Sequence, residues 1–269
     1  MQKGETISLE ITEVNNLGCG VGHAPDGRVV FVYGAVVGEL ARVSIIKVNK
    51  SFLVGKCEEI LRPSPDRLGE PFCHAPESCG GCVYRHITYE SELVAKREFV
   101  RQAFVKVGLP DVTVEDVKTT GRVCGYRNKA QYPLGRTREG VRAGFYAAKS
   151  HTLIPARECP MQPKLFAAGL DYFCRFATEH RWSVYDEETG KGLLRHLYLR
   201  YGEGTDQLMV CPVINGDALS DTDAFLDELL RRFPSVVSVM LNSNKKSTNV
   251  VLGDTYRTLL GTPYIEDVL

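Results

Sequence analysis

Residues 71–86 read PFCHAPESCGGCVYRH, and within them Cys73, Cys79 and Cys82 form C-x5-C-x2-C. Two thiolates separated by two residues can turn back onto one metal centre, and Gly80 and Gly81 let the backbone fold tightly around it. Three ligands are one short of the usual four. Cys159, in RECPMQP, is the candidate for the fourth, because the proline that follows it helps fix its loop. Four thiolates suit either a tetrahedral zinc or a cubane iron–sulfur cluster, and ligand type alone does not separate them. His74 and His86 flank the group and are read as ordinary satisfied or solvent-facing histidines. Cys19, Cys57, Cys124, Cys174 and Cys211 are isolated and are expected to behave as small buried hydrophobes.

That reading depends on compartment. The N-terminus, MQKGETISLE, lacks the apolar core of a secretory signal, so a cytoplasmic protein is expected. In a reducing cytosol clustered thiols are metal ligands more often than disulfides. No run approaches ~18 apolar residues, so no membrane partner is expected. The 269 residues carry 33 basic and 33 acidic side chains, a balance that taken whole argues against nucleic acid. The average conceals a local surplus. Between residues 122 and 157 stand Arg122, Arg127, Lys129, Arg136, Arg138, Arg142, Lys149 and Arg157, against Glu139 alone. Such a stretch is either a solvated basic face or a footprint for phosphates.

Residues 1–62 read as all-β. ISLEITEV alternates Ile7, Leu9 and Ile11 with polar neighbours, and DGRVVFV, LARVSIIKV and FLVGKCEEIL follow between Gly- and Asn-bearing turns. Short strands at this spacing suit a small closed barrel. GCGVGH (residues 18–23) resembles a dinucleotide fingerprint superficially, lacks the helix that would hold a pyrophosphate, and is read as a loop. RPSPDRLGEP reads as a linker. Thr88 is placed to cap a helix from Tyr89 to Val107, with Leu93, Val100, Phe104 and Val107 mostly on one face. Further strands are expected near AQYPLG, RAGFYA, LLRHLYLRYG, QLMVCPVI, VSVMLNS and TNVVLG. Helices are expected over 163–180 and 220–233, the latter capped by Ser220 or Asp221. The fold class is α+β.

With these segments in view, C-x5-CGGC followed by GYRNKAQYPLG, AGFYAAKSHTLIPARECP and TNVVLGDTYRTLLGTPYIEDVL resembles the TrmA/RlmD group of SAM-dependent RNA uracil-C5 methyltransferases. Residues 1–62, with GCGVG and DGRVVFVYGAVVGE, look like the OB-like TRAM barrel that opens many of them. The resemblance implies a 1–62 RNA-binding barrel and a 63–269 cluster-binding α+β domain. It further implies that Cys73, Cys79, Cys82 and Cys159 hold a [4Fe-4S] cluster that shapes an RNA-binding surface. It favours the branch acting on 23S (large-subunit) ribosomal RNA. The family's SAM-binding domain, with its cysteine nucleophile and carboxylate base, is expected beyond Leu269. No catalytic or SAM-binding residue is therefore assigned here, and Cys211 in MVCPVING is only a lookalike of the nucleophile. On this reading the chain is the RNA-recognition portion, inactive alone and monomeric, with S-adenosylmethionine used only by the full-length enzyme. Two expectations stand for residues 89–117: packing on that absent domain, which would leave Leu93, Val100 and Phe104 partly exposed, or burial within this chain.

The RNA contacts follow from residue chemistry. Arg127, Lys129, Arg136, Arg138 and Arg142 are the phosphate candidates, and Tyr126, Tyr132, Phe145 and Tyr146 the rings for stacking on unpaired bases. Arg28, Arg42, Lys47 and Lys50 on the barrel are weaker candidates. The competing expectation is a stand-alone OB-type RNA-binding adaptor with a structural zinc. A radical enzyme is disfavoured, because its usual spacing is C-x3-C-x2-C.

Overall fold

The computed structural model describes every residue except Pro71, Glu77, Lys149, Ala156, Arg157 and Leu269. Two of the basic residues counted above, Lys149 and Arg157, thus lie outside the described residues. The chain groups into two compact units, Met1–His74 with Cys82–Gly121, and Ala75–Gly81 with Arg122–Leu269.

In the first unit, β1 (Thr6–Glu10), β2 (Glu13–Val14), β3 (Gly20–His23), β4 (Val29–Tyr33), β5 (Leu40–Val48) and β6 (Phe52–Arg62) form one sheet in the order β1-β5-β6-β4-β3-β2. Alternate residues point inward, so Leu9, Val30, Val32, Val43, Ile45 and Leu53 make a dry core. The expected loop at GCGVGH is half wrong, since Gly20–His23 is a strand paired with β4. The glycines are there for close approach. A Cβ on Gly22 would collide with the Leu9 side chain and the Glu10 carbonyl oxygen, so the sheet curls until β3 meets β1.

The stretch after β6 is anchored rather than a loose linker. Glu39, at 0% exposure, accepts from the Val36 amide (2.8 Å) and from Arg67 through Nε (2.5 Å) and Nη2 (3.0 Å). Arg67 also donates to the Gly34 carbonyl at 2.7 Å. A buried carboxylate is tolerable because this fork meets both its oxygens. Then α1 (Tyr89–Lys106) starts as expected, with Thr88 Oγ1 accepting from the Ser91 amide. Ala95 is its one fully buried residue among those described. Leu93 and Phe104 are half-buried, and Val94, Phe99, Val100, Val105 and Val107 are exposed.

The second unit is a seven-stranded sheet, β13-β12-β11-β10-β7-β8-β9, with two helices. Its strands are β7 (Lys129–Thr137), β8 (Gly140–Tyr146), β9 (Leu153–Pro155), β10 (Leu194–Gly202), β11 (Gln207–Ile214), β12 (Val236–Ser243) and β13 (Thr255–Gly261). Neighbours are antiparallel except β11 and β12, which α3 (Thr222–Arg232) joins as a crossover. The other helix, α2 (Lys164–Glu179), and α3 bury Phe166, Tyr172, Phe173, Phe176 and Phe225 against Leu197, Leu199, Val210, Val239 and Leu241 of the sheet. Asp221 occupies the cap position of α3 without a side-chain cap bond.

The last expected strand is displaced. TNVVLG (residues 248–253) is a loop, and the edge strand follows it as β13. The Thr248 carbonyl accepts from Arg195, and those of Val250 and Val251 accept from Asn244 Nδ2. Side chains thus take the carbonyls that a ladder would have used. No helix among the described residues is long and apolar enough to cross a membrane.

Replacing Arg67 with alanine leaves the Glu39 carboxylate buried with one donor fewer on each oxygen. The variant is expected to lose about 3 kcal/mol of stability in denaturant titration. An unchanged midpoint would show that this brace does not hold the barrel.

Candidate nucleic-acid interface

The segment Ala75–Gly81 enters the second unit through backbone bonds. Cys79 pairs with Ala147 in an isolated bridge, the Gly80 amide donates to the Tyr146 carbonyl (3.2 Å), and the Ala148 amide to the Ser78 carbonyl (2.9 Å). Gly80 has no room for a side chain, because a Cβ would stand 2.9 Å from the Tyr146 carbonyl oxygen. The Cys159 segment is tied down separately. The Gly125 amide donates to Pro160 (2.8 Å), the Arg127 amide to Met161 (2.9 Å), and Gln162 donates back to Cys159 (3.1 Å).

Arg127 links the two segments. Its amide holds Met161, and its guanidinium Nη1 donates to the Gly81 carbonyl at 2.9 Å. The expected phosphate contact thus serves as an internal brace through Nη1, and its guanidinium carbon lies 5.9 Å from the Tyr126 ring centroid. All four candidate ligands, Cys73, Cys79, Cys82 and Cys159, are half-buried. Cys73 and Cys82 belong to the first unit, Cys79 and Cys159 to the second. By chemistry alone, cysteine thiolates are the donors that both zinc and iron–sulfur centres use. Among the described residues no three Cys, His, Asp or Glu side chains are grouped closely enough to hold a metal ion.

The remaining cations divide. Arg136 and Arg138, at the tip of the β7–β8 hairpin, are exposed and form no ion pair with a described residue. Arg142 is ion-paired with Glu139, the acidic member of this stretch. Lys129 is exposed and stands directly opposite Arg200 on β10. Neither meets a carboxylate among the described residues. Like charges directly opposite are unfavourable unless an anion lies between them.

The aromatic candidates divide as sharply. Tyr126 is 50% exposed. Tyr132 is 0% exposed, its hydroxyl donates to Gln162 Oε1, and burial pushes its phenol pKa up. It is a core residue and cannot stack on RNA. Phe145 packs against it at 5.3 Å between centroids, against the same core. Tyr146 is stacked on His151 at 4.8 Å, and His151 in turn bonds Glu187 at 2.5 Å.

Sequence reasoning missed the other face of the sheet. Leu197 and Leu199 point into the helical core, so His196, Tyr198 and Arg200 point away from it. Tyr198 is paired with Gln131 and Cys211, and Tyr256 with Asn242. Burial pushes the Cys211 thiol up to about 12, which removes it as a nucleophile. Burial pushes the Tyr256 phenol up, with smaller contributions from Cys211 and Tyr198, which share its face of the sheet. The available signal was the alternation within LLRHLYLRYG, which separates the two faces by period alone.

Comparison with known proteins places this geometry. Residues 1–57 match the TRAM domain family. Along 99% of its length the chain is 35% identical to an uncharacterized RNA methyltransferase of Nostoc sp., covering 58% of it. Along all of its length it is 36% identical to another from Clostridium tetani, again covering 58%. The chain thus spans a little under three fifths of the curated relatives it matches. Among solved structures, the Pyrococcus abyssi tRNA (uracil-54, C5)-methyltransferase in complex with S-adenosyl-L-homocysteine superposes with a TM-score of 0.69 at 22% identity. That alignment covers 97% of this chain and 57% of the other, and it shows a shared mixed α+β fold.

Arg127→Ala is expected to speed hydrogen exchange at the Gly80 and Ala148 amides by about tenfold or more, the cost of one charged hydrogen bond. Amides of β10 serve as the unchanged reference. Equal exchange in both proteins would mean that the segment is held without the guanidinium.

Proposed function

We propose that this chain is the RNA-recognition portion of a SAM-dependent RNA uracil-C5 methyltransferase that forms 5-methyluridine in large-subunit ribosomal RNA. The observation that carries the proposal is the set of cations without carboxylate partners among the described residues, Lys129, Arg136, Arg138 and Arg200, within a chain similar throughout to RNA methyltransferases. Arg136 and Arg138 project from a hairpin tip, where a phosphate backbone can approach without displacing protein. The N-terminal barrel supplies a second surface of the kind that TRAM domains offer to RNA. S-adenosylmethionine and the methyl-transfer residues are assigned to the remainder of such an enzyme. The exposed apolar side of α1, within residues 89–117, is assigned the same remainder as its packing partner.

In this proposal Cys73, Cys79, Cys82 and Cys159 hold a [4Fe-4S] cluster. When bound it would supply a rigid cross-link between segments far apart in sequence, with no redox step in methyl transfer. Arg127 supports that role by ordering Gly81 and Met161, the close neighbours of Cys82 and Cys159. Chain ordering completed before RNA arrives lowers the entropy lost on binding.

Three measurements test the proposal. Affinity for a short oligouridylate should fall with salt, with a log–log slope of about 0.7 per phosphate contact, and Arg136→Gln with Arg138→Gln should make it shallower by about 1.4. A salt-independent affinity removes the phosphate contacts. Methylation of ribosomal against transfer RNA by an enzyme that carries this chain separates the two substrates. Purification without oxygen should give a brown protein with broad violet absorption, lost in Cys79→Ser and Cys159→Ser. A colourless protein with one equivalent of zinc would favour the adaptor reading.

A further inference from the structure

We infer that the sheet face turned away from α2 and α3 is a platform on which Tyr198 and Tyr256 stack unpaired bases of single-stranded RNA, with Lys129 and Arg200 holding the phosphates. The inference rests on the RNA-binding reading above and deepens it, since it names the strand state recognised and a surface other than the hairpin tip.

Helices close one face of this sheet; on the other, Lys129, Arg200 and Tyr256 are exposed and Tyr198 is half-buried. Its residues are chosen by register. Lys129 and Arg200 face each other at one end, followed along β7 and β10 by Gln131 and Tyr198, with Cys211 beside Tyr198 on β11. On the far side Tyr256 stands on the edge strand β13, opposite Asn242. Cys211, Val213 and Met240 are buried on this face yet lie outside the helix-facing core. The two tyrosines lie over this apolar floor, and Tyr256 is still 51% exposed.

The groups that would be satisfied in a purely structural surface are not. Neither tyrosine hydroxyl has a hydrogen-bond partner among the described residues, and Lys129 and Arg200 have no ion pair there. Asp254 and Glu187, whose charges reach this face at Tyr256 and His196, are already bonded to Lys246 and His151. The face therefore presents two cations at opposed positions with Tyr198 next to them along β10, and a second ring, Tyr256, farther across the sheet. Arg200 and Tyr198 are two positions apart on one strand, about 7 Å. A phosphate between the cations relieves their repulsion while the attached base covers the ring.

The strand state follows from the same geometry. In a duplex the base faces are occupied by neighbouring bases, and a flat sheet reaches only the backbone. Stacking on a sheet requires unpaired bases, and it tolerates any sequence because every base has a π-face. A protein partner would have to bring carboxylates to Lys129 and Arg200 instead.

The test measures binding of fluorescent oligouridylate, and of a duplex RNA of the same length, to the chain and its variants. Tyr256→Ser and Tyr198→Ala should each weaken oligouridylate binding about 5- to 100-fold, while Tyr→Phe at either site stays within about twofold. Lys129→Gln and Arg200→Gln should each make the salt slope shallower by about 0.7. Duplex binding should hardly change in the tyrosine variants. Tyr256 is half-exposed on an edge strand, so its variant should keep the wild-type melting temperature even if Tyr198→Ala does not. If the Arg136 and Arg138 variants weaken binding and the folded Tyr256→Ser does not, the platform is overturned and the RNA reading stands. If wild-type protein binds neither RNA, both fall. Equal losses for duplex and single strand also overturn the platform.

Discussion

Arg127 is the residue on which the arrangement of the second unit depends. Its backbone amide and its guanidinium reach two carbonyls, Met161 and Gly81, from segments that are remote from each other in sequence. Loops of this kind have few ladder bonds of their own, so each carbonyl must find a donor elsewhere. A planar guanidinium with five donors can serve several such acceptors at once. Its charge then works inside the protein instead of at its surface. The Gly81 and Met161 turns gain fixed positions from it.

The seven-stranded sheet repeats the same division between inside and outside. Tyr132 and Gln131 are neighbours on β7, and Leu197 and Tyr198 are their partners on β10. One of each pair enters the helical core and the other leaves it, because side chains alternate strictly along a strand. A slip of one residue would exchange a buried Tyr132 for an outward one and ruin the aromatic core around Phe173 and Phe176. Register is thus held by the helices on one face, while the other face packs around Cys211, Val213 and Met240 and stays open at Lys129 and Arg200.

The barrel uses a comparable device at smaller scale. A barrel of this size has little apolar area to bury, and Gly22 allows the close crossing that lets Leu9 reach the core. Glu39 is fully buried, which is costly in itself, and Arg67 offsets that cost by binding both its oxygens. The residues after β6 are therefore part of the barrel's stability, although their composition reads as a linker.

Local patterns were enough to place most elements. The strands of the barrel, the Thr88 cap, the two amphipathic helices, and the strands from AQYPLG to VSVMLNS all follow from period and capping chemistry, which are properties of neighbouring residues. What needed the tertiary structure was the use made of each side chain by residues far away. Arg127 meets Gly81 across 46 positions and Arg67 meets Glu39 across 28, and no local pattern announces either bond. TNVVLG has the composition of a strand, but Arg195 and Asn244 claim its carbonyls first. Period 2 separates the faces of a strand without saying which one the helices will cover, so the sequence alone could not tell that Tyr132 goes inside and Tyr198 stays out.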